Sequence, residues 1–145
     1  MVIKLLPVQI PAFWEAIKFT STQADEVEKK NRPVYLNRLL HSLLNDKSQC
    51  FVRLDNERRL HSVMITNIEV DKISGEETLN LLAYYSWIKI NNETWSDDFV
   101  FAKNFAVHNQ CEQICFSSHN PRICEMSKRF GFKEKSRLFA YKMEV

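Results

Sequence analysis

Apolar residues along this chain follow two spacings, and the change from one to the other marks out its elements. Val2 to Leu6 is a short apolar run that reads as a first strand. Pro11 opens a helix from the position proline favours, with Phe13, Trp14, Ile17, Ala24 and Val27 as its apolar face and a solvated stretch from Asp25 to Lys30. Asn31-Arg32-Pro33 breaks it. Leu36, Leu39, Leu40, Leu43 and Leu44 then recur at helical spacing. Cys50 to Leu54 and Arg59 to Val70 form a predicted hairpin, the second strand alternating through Leu60, Val63, Ile65 and Ile68. Thr78 to Ile90, rich in aromatic and branched residues, reads as a central strand.

Asn91-Asn92 closes that strand. Thr94 and Ser96 are the candidate caps of a helix reaching about Asn109, with Asp97 and Asp98 in its first turn as the helix dipole favours. Trp95, Phe99, Ala102 and Ala106 line one stripe of that helix, and Phe101 and Phe105 a second, which predicts a wide buried face. Cys111 to Ser117 is a strand. Pro121 begins a last helix that stops at Gly131, and Phe132 to Arg137 and Leu138 to Glu144 carry final strand character. The expected order is β-α-α-β-β-β-α-β-α-β-β. It forms one α/β (α+β) domain over residues 1–145, a mixed sheet of about six to seven strands flanked by about four helices. The strand-helix-strand step through Thr78–Ser117 implies a parallel pair.

Composition narrows the class. Hydrophobic residues make up 45% and charged residues 26%, enough for a core in a soluble domain. No apolar run approaches the ~20 residues of a membrane helix, and the N-terminus lacks a signal-peptide layout. The expected location is the cytoplasm. Net charge is +2, but Arg122, Lys128, Arg129, Lys133, Lys135, Arg137 and Lys142 gather near the C-terminus. This basic face lacks the aromatic interleaving of a nucleic-acid motif and reads as solvated surface. Cys50, Cys111, Cys115 and Cys124 have the irregular spacing of free, mostly buried thiols. His108 and His119 flank them, yet on a strand Cys111 and Cys115 stand roughly 13 Å apart at ~3.3 Å per residue, too far to share a zinc ion with bonds of ~2.3 Å. No metal is expected.

The segment Asn120-Pro121-Arg122-Ile123-Cys124-Glu125-Met126-Ser127-Lys128-Arg129-Phe130-Gly131-Phe132 resembles the C-terminal motif of the GNAT family of N-acetyltransferases, which runs from an asparagine through a tyrosine to Gly-Phe. The spacing from Asn120 to Gly131-Phe132 fits without gaps, and the element order is the family's order over nearly the whole chain. The resemblance implies a GNAT-like sheet with acetyl-CoA lying between the central strand and its parallel neighbour. In the family, a loop written Q/R-x-x-G-x-G/A holds the pyrophosphate by backbone N–H groups at a helix start, where amides and dipole favour an anion.

This chain departs from that pattern at both ends of the site. With Ile88 set on the motif's strand valine, Glu93, Ser96 and Asp98 fall on the arginine and two glycine positions. The span Asn91–Asp98 holds no glycine, and its three carboxylates oppose a phosphate. Ser127 stands where the family has its tyrosine acid, and a serine hydroxyl is a far weaker acid. Tyr84, Tyr85 and Tyr141 are alternative hydroxyls. Glu69 and Glu93 are the candidate bases, with His61 behind them. The catalytic candidates are therefore Ser127, Glu69 and Tyr84; Ile88, Ile90, Ser96 and Asn120 are the cofactor contacts the resemblance implies if CoA binds.

Two functions are compatible with these residues. The favoured one is a non-catalytic binding or assembly protein without cofactor, working through protein partners or self-association. The span from Phe101 to Phe132 is loosely similar to small acetyltransferase-like proteins of tailed bacteriophages, which adds the virion as a location. The other is an acetyl-CoA-dependent N-acyltransferase acting on a small or protein amine.

Overall fold

A computed structural model describes residues 1–24, 28–89, 91–118 and 120–144. Val27, Ile90 and His119, each used in the sequence reading, lie outside the described residues. The described elements are β1 (Val2–Lys4), α1 (Ile10–Ala24), α2 (Arg32–Leu44), β2 (Ser48–Leu54), β3 (Leu60–Val70), β4 (Glu77–Ser86), α3 (Asn92–His108), β5 (Gln113–Cys115) and α4 (Pro121–Arg129). The strands lie in the order β1-β2-β3-β4-β5. All neighbours are antiparallel except β4 and β5, which are parallel and joined through α3. Parallel strands need such a crossover.

The period of two sorts the strand residues onto two cores. Cys50, Val52, Val63 and Ile65 join Ile10, Ile17, Leu39 and Leu43 under α1 and α2. Phe51 and Met64, one residue out of step, face the other way and join Leu79, Ala102 and Ala106 under α3. Phe13 and Trp14 pack against the first core. Burial lifts the Cys50 thiol to about 12, so it stays protonated.

A bulge in β4 changes which side chains reach α3. Ile65 pairs with Ala83 but Thr66 pairs with Leu81, so Leu82 has no partner on β3. An extra residue in one strand reverses the faces of the residues beyond it. Leu79 and Leu81 lie with the α3 core, Ala83 with the α1 core, and Tyr84 returns to the α3 side.

Three expectations are corrected. First, α3 starts earlier than Thr94 or Ser96: Asn91 is its cap, with Oδ1 accepting from Thr94 N–H at 2.8 Å. Second, the central strand ends at Ser86, where Trp87 N–H makes a final bond to His61 O and the Ser86 hydroxyl turns back onto the Ile88 backbone. Third, residues 132–144 form no strand. Five successive polar residues, Lys133 to Arg137, leave no apolar face to lay that stretch on the sheet. Among the described residues there are five strands where about six to seven were expected.

The β2–β3 turn supplies a pH prediction. Asp55 Oδ1 accepts from Glu57 and Arg59 N–H, and Oδ2 from Arg59 Nε. The Arg59 backbone bond leads in holding this carboxyl down at about 2. A carboxyl depressed by folding stabilises above its unfolded value near 4 and loses that contribution as pH falls toward 2. Asp55→Asn should therefore lower Tm at neutral pH and flatten the decline of Tm between pH about 4 and about 2, as followed by circular dichroism.

Candidate functional site

The parallel pair is short. Thr78 pairs with Gln113, Leu79 with Ile114 and Asn80 with Cys115. From Leu81 to Ser86, β4 continues without a β5 partner. The strands are thus joined at their N-terminal ends and unpaired beyond, and α3 starts just after the free end of β4. Ligands of open α/β sheets occupy this kind of place, outside the carboxyl ends of parallel strands.

At the start of α3, Thr94 N–H goes to the Asn91 side chain and Trp95 N–H to Asn91 O at 3.1 Å. Glu93 and Asp97 are exposed, and Ser96 is half-buried in the second turn of the helix, past its free amides. Asp98 points elsewhere. It is buried, and Arg53 Nε donates to its Oδ1 at 2.8 Å, with Arg53 Nη2 at 2.7 Å from the same oxygen. Its Oδ2 accepts from the Tyr84 hydroxyl at 2.6 Å and from the Ser62 hydroxyl at 3.3 Å. Asp98 therefore fastens α3 to β2, β3 and β4, and adds no free charge at the helix start.

The predicted hydroxyls are occupied. Burial, reinforced by Asp98, pushes the Tyr84 phenol far above its ordinary range, so the group holds its proton on the carboxylate. The Ser127 hydroxyl donates to Cys124 O at 2.8 Å inside α4. The carbonyl of Ser127 accepts from Phe132 N–H at 3.1 Å, and Lys128 O from Gly131 N–H at 3.2 Å. With Gly131 at φ +91°, this is the glycine-terminated helix end expected from Arg129-Phe130-Gly131. Tyr85 packs on Phe19 and Trp87. Tyr141 is exposed.

The candidate bases are scattered. Glu69 is exposed and pairs with Thr78 at the closed end of the parallel pair. That is about 25 Å from Ser86 at ~3.3 Å per residue, so the fold does not bring it to the opening. His61 Nε2 lies 3.2 Å from Asp55 at the hairpin turn. Of the implied cofactor contacts, Ile88 is exposed in the β4–α3 connection. Asn120 caps α4 through its Oδ1, which accepts from Arg122 N–H at 2.9 Å.

An aromatic row, largely missed by sequence reasoning, runs from β4 to the residue after β5. The Tyr84 and Trp95 rings are 5.0 Å apart, Trp95 and Phe130 6.2 Å, and Trp95 and Phe99 6.3 Å. Phe99 to Phe132 is 5.2 Å and Phe132 to Phe116 5.1 Å. Edge and offset contacts at these spacings are favourable. Arg53 and Ser62 were missed as well, since nothing local to them points at Asp98. The Gly131 stop was the one available hint that Phe130 and Phe132 turn inward.

A pyrophosphate at this helix start would meet exposed carboxylates at Glu93 and Asp97 and no glycine, and the Ser127 and Tyr84 hydroxyls are hydrogen-bonded within the fold. Among the described residues no three His, Cys, Asp or Glu side chains converge as metal ligands, and no helix is long and apolar enough to cross a membrane.

No protein-family model and no curated protein matches the chain. Solved structures do. A predicted acetyltransferase from Clostridium acetobutylicum, solved with acetyl-CoA, is 11% identical, with 98% of this chain and 95% of that one covered at a TM-score of 0.76. A ribosomal-protein-alanine N-acetyltransferase from Brucella melitensis is 9% identical, with 99% of each chain covered and a TM-score of 0.69. An aminoglycoside 6'-N-acetyltransferase from Acinetobacter baumannii is 12% identical, with 100% and 98% covered and a TM-score of 0.70. The architecture reached from the residues upward is thus the fold of the GNAT acetyltransferases.

Proposed function

We propose that this chain is a binding protein built on the acetyltransferase fold and does not transfer acetyl groups. The start of α3 carries the reading. Where an anion would dock, the chain offers Glu93 and Asp97 on the surface, no glycine, and an amide already taken by Asn91. Ser127 and Tyr84 support it, since both hydroxyls are spent on structural bonds. The partners proposed are proteins, and the loose resemblance to phage-encoded proteins makes assembly the work in view.

One observation favours the other reading. Asp98, the third carboxylate of the motif span, is withdrawn to Arg53, which reduces the repulsion at the helix start. The chain would then be an N-acetyltransferase holding CoA by backbone and dipole alone; the Clostridium neighbour of the same fold was solved with acetyl-CoA.

Thermal melting with and without acetyl-CoA separates the two. A site with a Kd of about 10 μM at about 1 mM cofactor gains ~2.7 kcal/mol, an upward Tm shift of roughly 8 °C for a chain of this size. The binding-protein reading expects no shift.

A further inference from the structure

β1 ends the sheet on the side away from β5. Its bonds to β2 fall on alternate residues. Leu54 N–H donates to Met1 O at 2.9 Å and Leu5 N–H to Cys50 O at 2.8 Å, with Ile3 opposite Val52 between them. In an antiparallel ladder the residues between such pairs turn their main-chain groups the other way. The N–H and C=O of Val2 and Lys4 therefore point away from β2, and among the described residues no main-chain group bonds them. The free stretch closes at Leu6, whose N–H donates to Gln9 Oε1 at 2.7 Å and whose carbonyl accepts from Gln9 N–H at 2.9 Å.

Unpaired groups on an edge are a template for another strand, and a charged side chain is one usual guard. Here the one charge is drawn aside: Lys4 Nζ lies 3.1 Å from Asp46 Oδ1. Apolar side chains flank the edge instead. Met1, Leu6 and Val8 are 75%, 58% and 83% exposed, a grouping that marks a contact surface rather than scattered exposure.

We propose that two copies of the chain join through this edge, β1 against β1, antiparallel about a two-fold axis at Ile3. The spacing selects the partner. An edge with outward groups at two residues, one position apart on either side of the axis, is complementary to itself. Val2 of one copy exchanges both its bonds with Lys4 of the second copy, Lys4 does the same with Val2, and the two Ile3 residues face each other between them. Both edges are satisfied and the assembly closes. In that register Met1 of each copy lies across from Leu5 and beside Leu6 of the other, so the exposed apolar side chains are covered. Lys4 stands opposite Val2, so like charges do not meet directly across the strands. The edge residues and the three apolar side chains of each copy bring the buried area to roughly 1,000 Å², the lower bound of a specific interface. A Kd of about 1–50 μM is therefore expected, not a nanomolar one.

Sedimentation equilibrium of the full chain from about 1 to about 200 μM tests this. The expected mass rises to twice 17.2 kDa at the upper concentrations. Leu6→Lys with Val8→Lys places like charges at the interface and alters no buried side chain, and it should raise Kd at least tenfold. Lys4→Pro removes an outward donor while sparing the bonds to β2, as proline on an edge strand does, and should do the same. Far-UV circular dichroism at about 1 μM confirms that each variant is folded. Hydrogen exchange of the wild type gives a readout that needs no variant: the Lys4 amide should be protected in the dimer and exchange freely on dilution, while the Leu5 amide, bonded to Cys50 O, stays protected in both. A wild-type monomer at every concentration, a folded Leu6/Val8 variant with the wild-type Kd, or a dimer whose Lys4 amide still exchanges freely would each overturn the proposal. None of these outcomes depends on whether acetyl-CoA binds.

Discussion

Replacing Arg53 with methionine is expected to destabilise the protein by about 3–5 kcal/mol, a substantial part of a typical domain's stability. The cause is the carboxylate left behind. The Asp98 side chain is 4% exposed and that of Arg53 17%. With Arg53 gone, Asp98 keeps only the Tyr84 and Ser62 hydroxyls, which do not neutralise its charge. Urea unfolding measures the loss directly, as a lower midpoint at unchanged slope. The double variant Arg53→Met with Asp98→Leu should recover most of it, because a buried pair exchanged for apolar groups is often near neutral. The unpaired Tyr84 hydroxyl would retain a cost of about 1–2 kcal/mol. A double variant as unstable as the single one would show that Asp98 serves through something other than this pair.

Leu79→Ala is the second large effect, at about 2–5 kcal/mol. Leu79 is fully buried and pairs with Ile114 in the short parallel ladder, under Ala102 and Ala106 of α3. Truncation leaves a cavity where the helix, sheet and β5 meet, and neighbours close such a cavity only in part. Because β5 holds to β4 through three residue pairs, the loss should also raise hydrogen exchange at Gln113 to Cys115 ahead of global unfolding. Exchange in this strand that rises no more than in β2 would count against that local account.

What the sequence disclosed was local. The leucines of α2, the β2–β3 hairpin and the Gly131 stop are all written in spacings of a few residues, and each appears in the structure. The cap of α3 was misread because Thr94 and Ser96 are good caps by type, yet Asn91 reaches Thr94 N–H first. What the sequence hid depends on distant partners. Asp98 looked like a repulsive charge at the site, and only the fold brings it to Arg53, forty-five positions away in the chain. The bulge at Leu82 reverses the faces of β4, so an unbroken alternation places Tyr84 on the wrong side. The last two predicted strands have strand-like residues, but a strand exists only with a partner, and among the described residues 132–144 pair with none. Of the candidate site, Ile88 follows β4, Ser96 stands in the second turn of α3 and Asn120 caps α4, while Glu69 lies at the closed end of the parallel pair and Ile90 outside the described residues.

The most direct test of the central claim is calorimetric titration of the purified chain with acetyl-CoA. The account predicts no binding heat up to about 1 mM cofactor, because a site weaker than that gives under ~4 kcal/mol of affinity. A saturable one-to-one isotherm with micromolar Kd would contradict it. The start of α3 would then accept the pyrophosphate despite Glu93 and Asp97, and the chain would be an acetyltransferase in chemistry as well as in fold.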